Sequence, residues 1–161
     1  FNVGNAESNG VEFDFTSMIT DNWTLSGAAS FLESELVEDY RRSASSPEPD
    51  APAGSRLPRV PEVKWNVSTR YTFANEWFAQ AAYMYTGDSY NDLFGGFRQL
   101  QGSYDVVNAS FGLERSNWTA EVYVQNLTDE RGDVWINDVN WDQRVTINQP
   151  RTLGVRWQQR F

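Results

Sequence analysis

Apolar and polar residues alternate with a period of two in most of the chain, and this pattern limits the possible folds more than any other feature. In the segment Glu62–Phe73, for example, Val63, Trp65 and Val67 lie on one row, whereas the residues between them are polar. Such alternation predicts β-strands with two unlike faces, and no segment has a convincing helical period. The predicted strands are Gly10–Thr20, Trp23–Glu35, Glu62–Phe73, Trp77–Thr86, Tyr104–Arg115, Trp118–Leu127 and Arg151–Phe161.

The connections between these strands alternate between short and long. Two- or three-residue turns lie at 21–22, 74–76 and 116–117, and long connections lie at 36–61, 87–103 and 128–150. Turn-forming residues fill the short connections, which is typical of antiparallel hairpins. The order predicts an all-β, antiparallel up-and-down sheet with short turns on one edge and long loops on the other.

Aromatic residues gather where the predicted strands meet the short turns. Each short turn is followed directly by a tryptophan, and other aromatic side chains approach the same edge. This arrangement predicts an aromatic girdle at a membrane interface; its alternative is an aromatic belt inside a soluble β-sandwich or lipocalin-type barrel. The predicted girdle consists of Trp23, Tyr71, Phe73, Trp77, Trp118 and Phe161.

Strand length and loop asymmetry favour a transmembrane β-barrel over a soluble one. Strands of about ten residues cross a bilayer at a tilt of roughly 45°. Outer-membrane barrels combine short periplasmic turns with long extracellular loops. The chain also ends on an alternating strand with a terminal aromatic residue, Phe161.

Composition excludes several other classes of function. The chain has no cysteine and no histidine, so it has no disulfide, no thiolate nucleophile and no histidine base or ligand. A net charge of −9, with Lys64 as the single lysine, opposes nucleic-acid binding. No apolar run is long enough for a transmembrane helix, and no signal-peptide pattern is present. We expect no enzyme activity, no cofactor and no metal site, and we interpret the acidic loop clusters as solvated.

Strand parity predicts that residues 1–161 are part of a longer protein. Seven predicted strands place the two ends of the sheet on opposite sides, whereas single-chain bacterial barrels have an even strand number. Seven strands also make a wall too narrow to close around a lumen. We therefore expect the C-terminal segment of a larger barrel, with residues 1–9 as the tail of another long loop.

Three motifs resemble TonB-dependent outer-membrane receptors. Residues 124–130, with the sequence Val-Gln-Asn-Leu-Thr-Asp-Glu, resemble the signature on the penultimate strand of that family. Residues 150–161 resemble its last strand, and residues 9–12 resemble the start of an earlier one. The resemblance implies a barrel of about 22 strands, of which this chain would hold roughly the last seven, and an N-terminal plug domain that is absent from this sequence.

The same resemblance implies a receptor of the bacterial outer membrane for energy-coupled uptake of a scarce nutrient, such as a ferric siderophore. The implied partners are outer-membrane lipid, the plug and remaining barrel strands, the TonB complex through the missing N-terminal region, and a small-molecule nutrient. Two alternatives stay open: a passive porin-type barrel, and a soluble β-barrel or β-sandwich binding protein. Sequence upstream of this chain would separate the first alternative from the receptor.

The long loops hold the predicted ligand contacts, because loops on a rigid wall commonly carry specificity. Aromatic rings could stack on a sugar or a catechol, and arginines could pair with a carboxylate or a ferric-siderophore anion. Packing of the loops against each other is the alternative. The candidates are Tyr40, Arg41, Arg42, Tyr90, Phe94, Phe97, Arg98, Trp135, Trp141 and Arg144.

Polar residues on the opposite face of the strands are predicted to face the barrel lumen. They could contact a plug or a passing substrate, and ordinary solvation is the alternative. This group comprises Glu12, Asp14, Lys64, Asn66, Arg70, Glu121, Gln125, Arg156 and Arg160.

Overall fold

A computed structural model describes residues 4–94, 96, 98–139 and 142–161. The described part is built from strands: β1 (Ala6–Thr20), β2 (Trp23–Leu36), β3 (Val63–Thr72), β4 (Trp77–Thr86), β5 (Ser89–Tyr90), β6 (Leu100–Gln101), β7 (Tyr104–Glu114), β8 (Trp118–Gln125), β9 (Asp133–Val139), β10 (Asp142–Ile147) and β11 (Thr152–Gln159). Among these residues there is no helix long and apolar enough to span a membrane.

The seven long strands form one antiparallel sheet in the order β1-β2-β3-β4-β7-β8-β11. All seven strands predicted from the sequence are present, so the predicted up-and-down order is confirmed. Among the described residues, the outer strands β1 and β11 each pair on one side only, which leaves the sheet open at both ends.

The first strand is longer than predicted. Residues 6–9 belong to β1 rather than to a loop, and the ladder with β2 extends to the pair Ala6 and Leu36. A hydrogen bond of 2.6 Å joins the hydroxyls of Ser8 and Ser34 beside this extension. The prediction of a loop over these residues was wrong because main-chain pairing continues the ladder through polar residues that lack apolar alternation.

The register aligns the apolar rows of neighbouring strands into one continuous band. Val11 lies opposite Phe31, and Phe31 lies opposite Val63. At the other end of the sheet, Val122 lies between Phe111 and Val155. All of these side chains except the half-buried Val63 are exposed, Val155 by 77%. A β-sandwich would bury such a band against a second sheet, so the fold does not support the soluble sandwich alternative.

Three glycines inside the sheet each lie directly opposite an aromatic residue. The pairs are Phe15 with Gly27, Phe78 with Gly112, and Tyr123 with Gly154. A Cβ atom at Gly154 would lie 2.4 Å from the ring and hydroxyl of Tyr123. The absence of a side chain therefore lets each ring lie flat across the neighbouring strand.

Two of the long connections contain short hairpins that the sequence did not predict. β5 pairs with β6, and β9 pairs with β10. The first hairpin has two residues in each strand, which is too short for a periodic signal. The second does alternate, since Val134 and Ile136 lie two residues apart on β9, as do Val145 and Ile147 on β10, and Ile136 pairs with Val145, but charged neighbours weaken the pattern.

Candidate functional site

The first two long loops share a small apolar core at one end of the sheet. Leu36, Ala51 and Leu93 are buried together, and Leu57 packs against them. This core fixes the position of the first loop (residues 37–62) over the second (residues 87–103). It is separate from the exposed apolar band of the strands.

Ion pairs of Arg56 also link the same two loops. The Nε of Arg56 lies 2.8 Å from Glu62, and its Nη1 lies 3.0 Å from Asp88. The Cζ of Arg56 also lies 5.4 Å from the ring centre of Tyr90. Both acidic partners hold this arginine in place and offset its charge.

Side-chain amides connect the second loop to the third (residues 126–151). Asn91 is buried and donates to the carbonyl of Ile136 at 3.1 Å. Gln101 donates to the carbonyl of Asp133 at 3.2 Å. Amide side chains suit this task because each can bond to main-chain groups without bringing a charge. The three long loops therefore form one packed assembly.

In the first loop, the predicted ligand contacts engage neighbouring loop residues. The ring of Tyr40 lies 5.4 Å from that of Phe94. The Cζ of Arg42 lies 4.1 Å from the ring centre of Phe94, and its Nε lies 3.9 Å from Asp50. Arg41 forms an ion pair of 3.2 Å with Asp39.

The remaining predicted contacts lie where the second and third loops meet. The Cζ of Arg98 lies 3.8 Å from the ring centre of Tyr90. Trp135 is 39% exposed on β9, and Arg144 lies on β10 opposite Asn137. Phe97 and Trp141 lie outside the described residues. Binding by any of these residues remains a prediction.

Arg59 is a further loop residue that the sequence did not single out. Its Cζ lies 5.1 Å from the ring centre of Trp135, and its main-chain N–H donates to the carbonyl of Tyr90 at 2.7 Å. Its backbone is left-handed, with φ of 62°. This arginine therefore touches both other loops, although no local pattern marks it.

The concave polar face of the sheet forms a trough of about 960 Å³. It lies in the half of this face nearer the long loops. Its lining includes the predicted lumenal residues Glu12, Asp14, Lys64, Asn66 and Gln125. The trough brings two carboxylates, one ammonium group and several amides onto one surface.

The short-turn half of the same face carries an ion-pair network. Arg70 pairs with Glu114 at 2.6 Å, and its Cζ lies 3.8 Å from the ring centre of Phe78. Arg160 lies 3.7 Å from Glu114, and Arg156 pairs with Glu121. The predicted lumenal arginines thus have carboxylate partners within the sheet.

The predicted girdle residues lie together on the apolar face at the short-turn edge. Tyr71 lies opposite Trp23 in the ladder, and its ring lies 4.9 Å from Phe73. Trp77 stacks on Phe111 at 5.0 Å, and Trp118 stacks on Trp157 at 4.7 Å. Phe161 is fully exposed. The structure adds Phe111 and Trp157, whose places on the same face follow from their register.

A second aromatic group lies on the apolar face nearer the long loops. The ring of Trp65 lies 5.1 Å from Tyr83 and 5.9 Å from Tyr85. The rings of Phe13 and Phe31 stack at 6.4 Å on the adjacent strands. The apolar band therefore has aromatic residues both at the short-turn edge and nearer the long loops.

Asn126 attaches the third loop to the end of β8. Its side chain is buried, donates to the carbonyls of Glu130 and Gln149, and accepts from the N–H of Glu130, each at 2.9 Å. Its φ of 52° is left-handed, a region that asparagine tolerates better than most residues. These bonds explain physically why asparagine stands within the Val-Gln-Asn-Leu-Thr-Asp motif.

Asp129 completes this attachment on the other side of the turn. Its carboxylate accepts the main-chain N–H of Arg151 at 2.9 Å and the side chain of Arg131 at 3.0 Å. These two hydrogen bonds, the main-chain one first, lower the pKa of Asp129 below its usual value. The carboxylate thereby ties the end of β8 to the start of β11.

The described residues contain no group of three or more acidic side chains placed to hold a metal ion. Several loop carboxylates bond to neighbouring loop groups instead. Asp39, for example, accepts the main-chain N–H of Ala53 at 3.0 Å, and Glu38 accepts the amide of Asn5 at 2.7 Å.

Comparison with known proteins places this architecture in a family. The sequence profile of the family described as TonB dependent receptor-like, beta-barrel matches residues 1–127. The probable TonB-dependent siderophore receptor PiuA of Acinetobacter baumannii is 26% identical over 133 residues, which cover 81% of this chain and 18% of that protein. The metal-pseudopaline receptor CntO of Pseudomonas aeruginosa is 29% identical over 146 residues, which cover 83% of this chain and 19% of that protein.

Solved receptor structures contain the same fold. The crystal structure of PiuA from Acinetobacter baumannii matches with a TM-score of 0.78 and 23% identity, covering 97% of this chain and 22% of that one. The ferric yersiniabactin uptake receptor FyuA from Yersinia pestis matches with a TM-score of 0.75 and 22% identity, covering 97% and 24%. The chain thus spans about a fifth of the length of the curated relatives it matches. The sheet, the loop arrangement and the profile match together establish that this chain belongs to the TonB-dependent receptor β-barrel family.

Proposed function

We propose that the chain forms the C-terminal part of the wall and the outer loops of an outer-membrane receptor that takes up a scarce nutrient by energy coupling. One observation carries the proposal. The sheet has a continuous exposed apolar band, and three long loops pack together at one end of the same strands. Membership of the receptor family supports the same function. The matched relatives are described as receptors rather than enzymes, and we propose the same for this protein.

The spacing of the two aromatic groups supports insertion in a bilayer. Trp77 and Tyr85 lie at opposite ends of β4, eight residues apart. At about 3.4 Å per residue and a tilt of about 40°, they differ in height by roughly 20 Å. Apolar bands of outer-membrane barrels are about 25 Å tall with aromatic girdles at both interfaces. The chain's band therefore fits the outer membrane.

The names of the relatives support a metal chelate as the nutrient. PiuA is described as a siderophore receptor, and CntO as a metal-pseudopaline receptor. We propose that the loop assembly of this chain contacts a ferric siderophore or a similar chelate at the outer mouth. The concave polar face would contact a plug domain, and the TonB complex would supply energy through the plug.

Uptake measurements in cells test the proposal. A strain without other receptors for a given ferric chelate would express the complete protein, and accumulation of radioactive iron would be followed at low chelate concentration. We expect accumulation that stops with a protonophore and in cells without TonB. Accumulation that continues under both conditions would instead support a passive pore. Recovery of the protein in the soluble fraction would contradict both membrane functions.

A further inference from the structure

We propose that a carboxylate and three aromatic rings on the apolar face of the sheet bind the ammonium group of a lipid headgroup. The carboxylate belongs to Asp105, and the rings belong to Trp65, Tyr83 and Tyr85. This inference rests on the proposed insertion of the sheet in the outer membrane. It adds a lipid site that is separate from the loops.

The four residues adjoin one another across three strands. Trp65 on β3 lies directly opposite Tyr85 on β4, and Tyr85 lies directly opposite Asp105 on β7. The ring centre of Trp65 lies 5.1 Å from that of Tyr83 and 5.9 Å from that of Tyr85. The carboxylate of Asp105 interacts electrostatically with the hydroxyl of Tyr83. Register and contacts therefore place the carboxylate beside the rings on one side of the sheet.

Asp105 is a charged exception in an apolar row. Along β7 it is followed on the same face by Val107, Ala109 and Phe111. It is half-buried, and no lysine or arginine among the described residues forms an ion pair with it. A partly buried carboxylate is costly without a compensating charge, so a cation from outside the chain would stabilise it.

The charge of this face favours an ammonium group over a phosphate. In the seven described long strands, the positions on the apolar face include no lysine or arginine, whereas they include the acidic residues Glu7, Glu33, Glu35 and Asp105. A phosphate site would need basic donors. Carboxylates and the faces of aromatic rings both attract an ammonium group.

The level of Asp105 along the strands fits a headgroup. Tyr85 and Asp105 lie opposite each other near the long-loop end of β4 and β7, whereas Trp77 and Leu113 form a pair at the short-turn end, eight residues away. Aromatic girdles of outer-membrane barrels mark both membrane interfaces. The carboxylate would therefore lie beside the headgroups of the outer leaflet rather than beside the acyl chains.

Binding of single lipids to the complete protein tests this site. Native mass spectrometry from detergent would compare phosphatidylethanolamine, whose headgroup carries an ammonium group, with phosphatidylglycerol, whose headgroup carries none. We expect the first phosphatidylethanolamine to bind at least about threefold more tightly than the first phosphatidylglycerol.

Two substitutions separate the contributions of the charge and the rings. Asp105→Asn keeps the shape of the side chain and removes its charge, so it should weaken phosphatidylethanolamine binding by roughly fivefold and leave phosphatidylglycerol binding no weaker. Trp65→Leu keeps an apolar side chain and removes the ring, so it should weaken phosphatidylethanolamine binding by roughly two- to fivefold. Thermal melting would verify that each variant folds; if Asp105→Asn does not fold, Trp65→Leu and the lipid comparison decide.

Glu33→Gln is the matched control. It removes a carboxylate from the same face, but at the end of β2, where Glu33 lies opposite Asn9 rather than beside the rings. We expect this variant to change either affinity by less than about twofold. Equal losses in Glu33→Gln and Asp105→Asn would show a general charge effect and overturn the site.

Two further outcomes would also overturn it. The first is equal affinity of the unaltered protein for the two lipids. The second is phosphatidylglycerol binding that reaches the strength of phosphatidylethanolamine binding when magnesium is added, because the carboxylate would then hold a metal ion instead of a headgroup.

Failure of the lipid site and failure of the receptor proposal are distinguishable. Energy-dependent uptake by the unaltered protein would support the receptor even if the two lipids bind equally. Recovery of the protein in the soluble fraction would contradict both proposals.

Discussion

At the level of single residues, the attachment of the third loop depends on two side chains of one short motif. The sequence marked the motif only through its resemblance to a family signature. The structure gives it a physical role, because Asn126 bonds to both ends of the loop and Asp129 bonds to the start of β11. Loops held this firmly can present binding residues in one geometry.

Replacement of Asn126 by alanine should destabilise the protein by about 2 to 4 kcal/mol, since three hydrogen bonds are lost and buried main-chain groups lose their partner. The midpoint and slope of urea unfolding in lipid vesicles would measure the change. Asn66→Ala is the matched control, because Asn66 is exposed on the concave face; its cost should stay within about 0.5 kcal/mol. Equal costs for the two variants would contradict the role of Asn126.

The carboxylate of Asp129 should make stability depend on acidity. Its pKa is lower in the folded than in the unfolded protein, so its contribution is fully present above the unfolded pKa of about 3.9 and is lost as the pH falls through the folded value. Asp129→Asn should therefore lower the urea midpoint at neutral pH. As the pH is lowered, the midpoint of this variant should decrease less than that of the unaltered protein.

Arg131→Gln provides the comparison for this titration. It removes the hydrogen bond that lowers the pKa of Asp129 less and leaves the bond from the main chain of Arg151. We expect this variant to keep most of the acid dependence that Asp129→Asn loses. An unchanged pH profile in Asp129→Asn would rule out the proposed contribution.

At the level of strands, aromatic rings laid over glycines join neighbouring strands of the sheet. Tyr123 on β8 covers Gly154 on β11, and Phe78 on β4 covers Gly112 on β7. Both pairs lie on the concave face of the sheet. The rings fill space that a glycine leaves and thereby stabilise one strand pair inside the sheet and one at its end.

A double-mutant cycle tests the pair on β8 and β11. Gly154→Ala should cost about 1 to 3 kcal/mol, because the new methyl group would overlap the Tyr123 ring. In the presence of Tyr123→Ala the same change should cost much less, since the overlapping ring is gone. Urea unfolding in lipid vesicles would measure all three variants.

Gly102→Ala is the control for this cycle, because no atom lies within 4 Å of the position its Cβ would occupy. We expect a change within about 0.5 kcal/mol for this variant. If the free-energy costs of Gly154→Ala and Tyr123→Ala are strictly additive, the packing of the Tyr123 ring does not depend on the glycine at position 154.

At the level of the whole molecule, the sheet has two surfaces with different environments. The convex surface carries the apolar band, and the concave surface carries the trough and the ion pairs. Val122 is exposed by 54% on the first surface, and Met84 by 38% on the second. If lipid covers the band and water the trough, an added charge should cost far more at Val122.

Matched arginine substitutions test this assignment. Val122→Arg should cost about 2 to 4 kcal/mol near the middle of a bilayer. Met84→Arg makes the same kind of change on the concave face and should cost less than about 1 kcal/mol. Folding titrations of the complete protein in lipid vesicles would compare the two. Similar costs would refute the proposed facing of the sheet.

The sequence alone determined the strands, their faces and the edge on which the long loops lie. Those properties follow from alternation within segments such as Glu62–Phe73 and from connection lengths, which are local quantities. The sequence placed a strand boundary wrongly where residues without apolar alternation continue a ladder, as in residues 6–9 of β1.

Tertiary structure alone decided how the loops pack and which loop side chains contact each other. Arg56 meets Asp88 across 32 positions, and Asn91 reaches Ile136 across 45. Arg59 carried no sequence signal because its aromatic neighbour, Trp135, lies in a different loop. Alternation fixes which way a strand residue points, whereas a loop residue's partners depend on distant segments that meet only when the sheet has formed.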